Sequence, residues 1–226
     1  MAGETPRVLV WDWAVRLFHW LTVLLVALMW WSAENGVMDL HTKLGMILVG
    51  LVSFRIVWGL IGPRTARFGS MLAGPKAIAA YAGDLIGGRH RAAAGHNPLG
   101  TLSVFAMLAA LCVQVGTGLF SVDVDGLYSG PLSTRVSFET GRQLAKIHET
   151  SFNILLVLIG LHIAAIIAYL VFFRDNLVRP MVTGRRAQSD FGDEVPGDNK
   201  AVWWRVLIAL VIAYGVMTAV WFGGQL

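Results

Sequence analysis

Four of the six histidines in this chain, His19, His41, His148 and His162, fall within or at the edges of long apolar runs. An ionisable side chain at that depth points to function by default, because an unpartnered polar group in hydrocarbon costs several kcal/mol. One such histidine would read equally well as a hydrogen-bonded structural residue. Four allow a geometric check. His148 and His162 are fourteen residues apart in one run, and at about 100° per residue that falls 40° short of four turns, so both face one side. At about 1.5 Å per residue they stand roughly 21 Å apart along a helix axis. Two separate metal sites need that spacing, and a single shared site does not. His41, at the outer end of the second run, matches the depth of His148. His19, about four residues into the first run, matches that of His162. The expected pairs are His41 with His148 and His19 with His162.

Two imidazoles per site are too few for a structural zinc, which takes four protein ligands. No set of buried carboxylates supports a di-iron centre either. A planar macrocycle that supplies four nitrogens and leaves two axial positions fits the count, which is that of b-type haem held between facing helices. There is no C-x-x-C-H, and the single cysteine, Cys112, excludes a disulfide framework and any cysteine-based cluster, so the two haems are expected to be non-covalent and bis-histidine. With both axial positions filled by protein, the expected chemistry is electron transfer.

The elements that must position these ligands are five apolar runs, near Val15–Ala33, Thr42–Gly62, Asn97–Phe120, Ile147–Phe173 and Val202–Phe222. Each is close to or above the roughly 20 residues a transmembrane helix needs. Apolar residues make up 56% of the 226-residue chain and charged ones 14%, with mean hydropathy +0.63. That composition excludes a soluble enzyme, a disordered tail and a nucleic-acid-binding domain. The net charge of +4 is concentrated between the runs. The segments 63–96 and 174–200 are rich in Lys and Arg, whereas 34–40 and 121–141 are mainly acidic. Positive-inside placement puts the N-terminus in the cytoplasm and the C-terminus outside a bacterial inner membrane. No short apolar region followed by small-x-small marks a cleaved signal peptide, so the first run reads as a mature span.

The neighbouring residues support the same picture less sharply. Gly45, one turn beyond His41, and Gly116 and Gly118 in the third run would let a macrocycle approach, or simply let helices pack closely. Arg55 lies fourteen residues after His41 on the same face, where a haem propionate would satisfy its guanidinium; snorkelling to headgroups is the alternative. Arg142 and Lys146 suit outer propionates or lipid phosphates. His90 and His96 sit in a basic loop and read as solvated. Cys112 reads as a small inert core residue. The tryptophans, Trp58 among them, cluster near the ends of the runs as an interfacial belt. Pro75–Leu85 reads as a short surface helix or an irregular loop. Gly184–Lys200, rich in Asp, Gly, Ser and Pro, reads as a flexible linker before the last run.

Several motifs also carry a resemblance. RLFHW surrounds His19, LHTKLG surrounds His41, and FRIVWGLIGPRTARF follows. GHNPLG opens the third run, KIHE holds His148, GLHIA holds His162, and NLVRPMVTGRR closes the series. From about Val10 to Arg186 the chain resembles prokaryotic cytochrome b561 and the b-type cytochrome subunits of nickel–iron hydrogenases. The resemblance implies an all-α integral membrane protein with a four-helix dihaem domain (1–183); the residues beyond that shared core read as a cytoplasmic linker (184–200) and an additional fifth transmembrane helix (201–226). It implies a respiratory electron-transfer subunit of a quinone-linked oxidoreductase, exchanging electrons between quinone or quinol and a periplasmic partner such as a c-type cytochrome or a hydrogenase. The loop Ser121–Gly141 is then either a docking surface or a plain connector. An alternative is a superoxide:quinone oxidoreductase working without a partner subunit, with Arg135, Arg142 and Lys146 drawing in the anion. A structural anchor whose histidines only pack is a third reading.

Overall fold

In the computed structural model, residues 6–90, 93, 95–191 and 199–224 are described. Five helices are long and apolar enough to cross a membrane: α1 (Trp13–Glu34), α2 (Met38–Ile61), α5 (Pro98–Phe120), α6 (Phe138–Phe172) and α8 (Trp203–Gly223). Shorter elements accompany them: β1 (Arg7–Leu9), α3 (Phe68–Met71), α4 (Pro75–Ile86), α7 (Val178–Thr183) and β2 (Arg185–Ala187). All five expected spans are present, and the surface helix at Pro75 forms with proline in its first turn.

Helix ends follow local chemistry. Asp12 Oδ1 accepts from the amides of Ala14 and Val15 and starts α1. Asn97 Oδ1 accepts from Gly100 N at 2.7 Å and starts α5, with Pro98 at the first helical position. Ser137 Oγ accepts from Thr140 N at the head of α6. The fourth span is longer than its apolar run suggested. α6 has 35 residues and begins at Phe138, because the polar stretch from Glu139 to Lys146 continues the helix. At about 1.5 Å per residue such a helix far exceeds the roughly 30 Å of hydrocarbon.

The chain forms two compact units. One comprises Met1–Leu17, Val57–Phe105 and Ile159–Val206. Its strands β1 and β2 pair antiparallel, with Val8 opposite Arg186. Gly184 precedes β2 at φ +80°, its carbonyl accepts from Val10 N and Trp11 N, and a Cβ there would stand 2.8 Å from the Trp11 carbonyl oxygen. Both the dihedral and the space demand glycine. Asn199, 1% exposed, accepts from Thr65 N and donates to the Leu9 carbonyl. The stretch expected to be a linker thus contributes a paired strand and a buried asparagine, while its residues 192–198 lie outside the described set. Trp58 is fully buried and donates to Asp12 Oδ2 at 3.4 Å, so it is a core residue of this unit and no part of an interfacial belt.

Asp12 therefore serves both as a cap and as a partner for Trp58. Asp12→Ala is expected to cost about 1–2 kcal/mol from the cap alone, and more from the lost hydrogen bond to Trp58 Nε1. Thermal denaturation in detergent checks this, with Asp12→Asn, which keeps a capping oxygen, expected to lose less.

The other unit comprises Phe18–Ile56, Ala106–Leu158 and Leu207–Leu226. Leu48, Leu155 and Ala213 are among its buried residues. α2 and α8 approach closely at Gly50, where an added Cβ would lie 3.7 Å from Met217 Sδ. The segment after α5 folds back through a Val122–Ser129 bridge, and Arg135 donates twice to the Gly223 carbonyl, at 2.8 and 3.1 Å, closing the C-terminus of α8.

Candidate functional site

The second unit brings His41 and His148 together. His41 lies one turn into α2, and His148 ten residues into α6, just past the polar turns that extend the helix before the apolar run. Their ring centres are 6.2 Å apart and the planes cross at 79°. Each ring is oriented by a backbone carbonyl of another helix. His41 Nδ1 donates to the Met29 carbonyl of α1 at 3.0 Å, with Ser32 Oγ at 3.4 Å. His148 Nδ1 donates to the Gln114 carbonyl of α5 at 2.9 Å, with Thr117 Oγ1 at 3.4 Å. A proton held on Nδ1 leaves Nε2 with the lone pair, so both imidazoles are set in the tautomer that ligates metal through Nε2.

Between these helices lies a cavity of about 440 Å³. His41, His148, Gln114, Leu48, Phe152 and Trp30 are among its walls, so its lining is mainly apolar with a few convergent polar groups. Gln114 Nε2 donates to His148 Nε2 at 3.0 Å, which marks where that lone pair points. The amide carbonyl of Gln114 is in turn held by Ser151 Oγ. For that nitrogen to ligate a metal, Gln114 Nε2 would have to leave it.

The donor set fits an iron macrocycle. Two imidazoles with ring centres 6.2 Å apart would hold the iron of a macrocycle that brings its own equatorial nitrogens. Among the described residues no three or more His, Cys, Asp or Glu side chains converge to hold a metal ion. Gly118 explains how His148 is accommodated. A Cβ at that position would stand 2.8 Å from His148 Cε1 and 3.1 Å from Nδ1. Gly116 faces open space, and a Cβ at Gly45 would make only ordinary contact with Met29 Cε at 3.5 Å.

The other expected residues are placed separately. His19 packs edge to face against Trp20, with ring centres 4.9 Å apart. His162, in the first unit, has Ser103 Oγ of α5 at 3.5 Å from Nδ1. Arg55 is 4% exposed, with its guanidinium carbon 5.9 Å from the Phe18 ring centre, so its side chain is buried and does not snorkel outward. Cys112 is exposed, not a core residue, because its place on α5 faces away from the interior. His90 and His96 are not simply solvated. His90 is held by Asp175, and His96 stacks on Trp11 with ring centres 4.5 Å apart. Sequence reading missed Gln114, Thr117 and Ser151. Their only signal was polarity inside apolar runs, and each is less than a tenth exposed.

Five helices long and apolar enough to cross a membrane, with imidazoles from two of them 6.2 Å apart beside an apolar cavity, describe a multi-pass membrane protein. The family model of prokaryotic cytochrome b561 matches residues 10–184. The chain belongs to that family, whose members are membrane b-type cytochromes that bind haem b and transfer electrons. α8 lies outside the matched region. Neither a curated protein nor a solved structure matches the chain.

Proposed function

We propose that the chain is a dihaem cytochrome that passes electrons between the quinone pool and a periplasmic redox partner, with His41 and His148 as axial ligands of one haem and His19 and His162 of the other. The observation that carries this reading is the His41–His148 pair, whose tautomers and separation suit one iron between them. When bound, haem supplies reversible one-electron chemistry at iron. The chain's own part would be to present the two imidazoles, to keep Nδ1 protons on the Met29 and Gln114 carbonyls, and to line the site with Leu48, Phe152 and Trp30. Those Nδ1 bonds raise imidazole basicity and so favour oxidised iron, a lever on potential set entirely by α1 and α5 backbone. For the second haem the support is the matched depth of His19 and His162, and the burial of Arg55 makes it a propionate partner in this reading.

The N-terminus and the basic segments 63–96 and 174–200 are taken as cytoplasmic, and residues 1–183 as the haem-binding domain. The docking role falls to the loop Ser121–Gly141, where Leu127 and Tyr128 are exposed beside Asp123 and Asp125. The superoxide alternative draws on Arg135, Arg142 and Lys146, and Arg135 is already engaged with Gly223.

The test is a pyridine haemochrome assay on purified protein followed by anaerobic addition of quinol. Two haems per chain, both reduced by quinol and reoxidised by an added c-type cytochrome, are expected. A stoichiometry near zero rejects the haem assignment, and haems reducible by dithionite but not by quinol reject the quinone link.

A further inference from the structure

A second groove in the same unit as the His41–His148 pair lies between α2 and α8. Its cavity is about 370 Å³, within the roughly 300–1,000 Å³ range of ligand pockets. The α8 wall is one helical stripe: Tyr214, Met217, Thr218, Trp221 and Phe222 follow the positions i, i+3, i+4, i+7 and i+8. The α2 wall is Lys43 and Met46, three residues apart on one face. Four residues further along α2 the two helices touch, since a Cβ at Gly50 would meet Met217 Sδ at 3.7 Å and the Ala213 carbonyl oxygen at 4.0 Å. The groove therefore closes at Gly50 and continues towards the start of α2 and the end of α8.

One cation stands in this otherwise mainly apolar lining. Asp39 lies one turn before Lys43, in the i, i+4 order that favours pairing, yet no ion pair joins them. Thr218 Oγ1 already donates within α8, to the Tyr214 and Gly215 carbonyls, so it brings no charge to the groove. Lys43 is the sixth residue of α2, and Trp221 is the third from the end of α8. At about 1.5 Å per residue both lie within roughly 10 Å of a helix end. That is the level at which tryptophan rings meet lipid headgroups and a lysine reaches them on its flexible stem. Tyr214 and Met217 stand deeper, alongside acyl chains.

We infer that this groove binds one anionic phospholipid, its phosphate on the Lys43 ammonium and an acyl chain against Met46, Met217 and Tyr214. The charges are complementary: a lysine left without a carboxylate meets a phosphate as a point charge, with no fixed fork to match. A zwitterionic lipid offers the same phosphate but offsets it with its own cation. Inorganic phosphate gains nothing from the apolar walls. α8 lies outside the region matched by the family model, so one whole wall of the groove is an addition to the shared core. None of the proposed haem ligands lines it, so lipid binding here stands or falls separately from the haem assignment.

The experiment is native mass spectrometry of the purified full-length chain in detergent, titrated with phosphatidylglycerol, with phosphatidylcholine of the same acyl chains, and with inorganic phosphate. One phosphatidylglycerol per chain is expected, held at least about fivefold more tightly than phosphatidylcholine, with no phosphate adduct at matched concentration. Lys43→Gln is expected to lower phosphatidylglycerol to the phosphatidylcholine level, and Lys43→Arg to keep most of the preference. Thr218→Trp fills the groove with the charge intact and is expected to weaken both lipids. Lys76→Gln, which removes an exposed lysine of α4, is expected to change neither. Equal binding of the two phospholipids by the wild-type chain, or an undiminished preference in Lys43→Gln, overturns the site. So does a phosphate adduct that Lys43→Gln abolishes while lipid binding persists, an added short-chain quinone that phosphatidylglycerol cannot displace, or a lipid-free dimer, in which a second copy covers the groove. If Lys43→Gln does not fold, Thr218→Trp decides, and unchanged phosphatidylglycerol binding there overturns the proposal.

Discussion

With two haems bound as proposed, His148→Ala is expected to cost the chain one of them and to leave the second in place with an unaltered spectrum. The alanine would remove one of the two proposed axial nitrogens and empty the position that Gln114 and Thr117 organise. Loss of a supporting hydrogen bond at a metal site typically costs 10–100-fold in affinity, and loss of the ligand itself costs more. His41→Ala should remove the same spectral component, because His41 faces His148 across the same cavity. His162→Ala should remove the other component. Reduced-minus-oxidised spectra of the three variants, with haem quantified per chain, decide the matter. If His148→Ala and His162→Ala eliminate the same component, the pairing is wrong.

Gly118→Val is expected to weaken haem retention at that same site by at least about tenfold, although residue 118 ligates nothing. A Cβ at Gly118 would come within 2.8 Å of His148 Cε1, closer than any ordinary contact. The ring has little freedom to retreat, since Nδ1 is tied to the Gln114 carbonyl at 2.9 Å. It must give up either that hydrogen bond or its alignment with His41. Gly116→Ala, two residues away, places its methyl in open space and is expected to leave haem content unchanged. Haem remaining after dilution in detergent measures both variants. Equal retention would show that the His148 ring yields without cost.

The pairing of His41 with His148 was legible because it needs only helix periodicity and depth, two properties that a run of residues encodes locally. The groups that aim those rings were not. The acceptor for His41 is a backbone carbonyl, Met29, and a carbonyl carries no residue type to read. Gln114 is a polar residue in an apolar run, but its contact with His148 spans 34 residues of sequence. Hydropathy placed the start of the fourth span at the edge of the apolar residues and missed nine helical residues before it, since helix propensity continues where hydrophobicity stops. Trp58 and Cys112 were misjudged for one reason: a tryptophan near a span end and a cysteine within a span reveal depth, but not which way they point. His90 looked solvated among basic neighbours, and its partner Asp175 is 85 residues away.

Composition alone determined that this chain resides in a membrane, and the order of its apolar runs and histidines determined which helices carry imidazoles. Those properties are one-dimensional, because water and hydrocarbon sort residues by type and a helix sorts them by period. Only the tertiary structure decided that Met29 and Gln114 lend their carbonyls to the rings, that Gly118 makes room for one of them, and that Asp175 and Tyr81 close on His90. Each of those contacts joins segments far apart in the chain, and hydrogen-bond geometry between packed helices has no counterpart in the spacing of residues along either one.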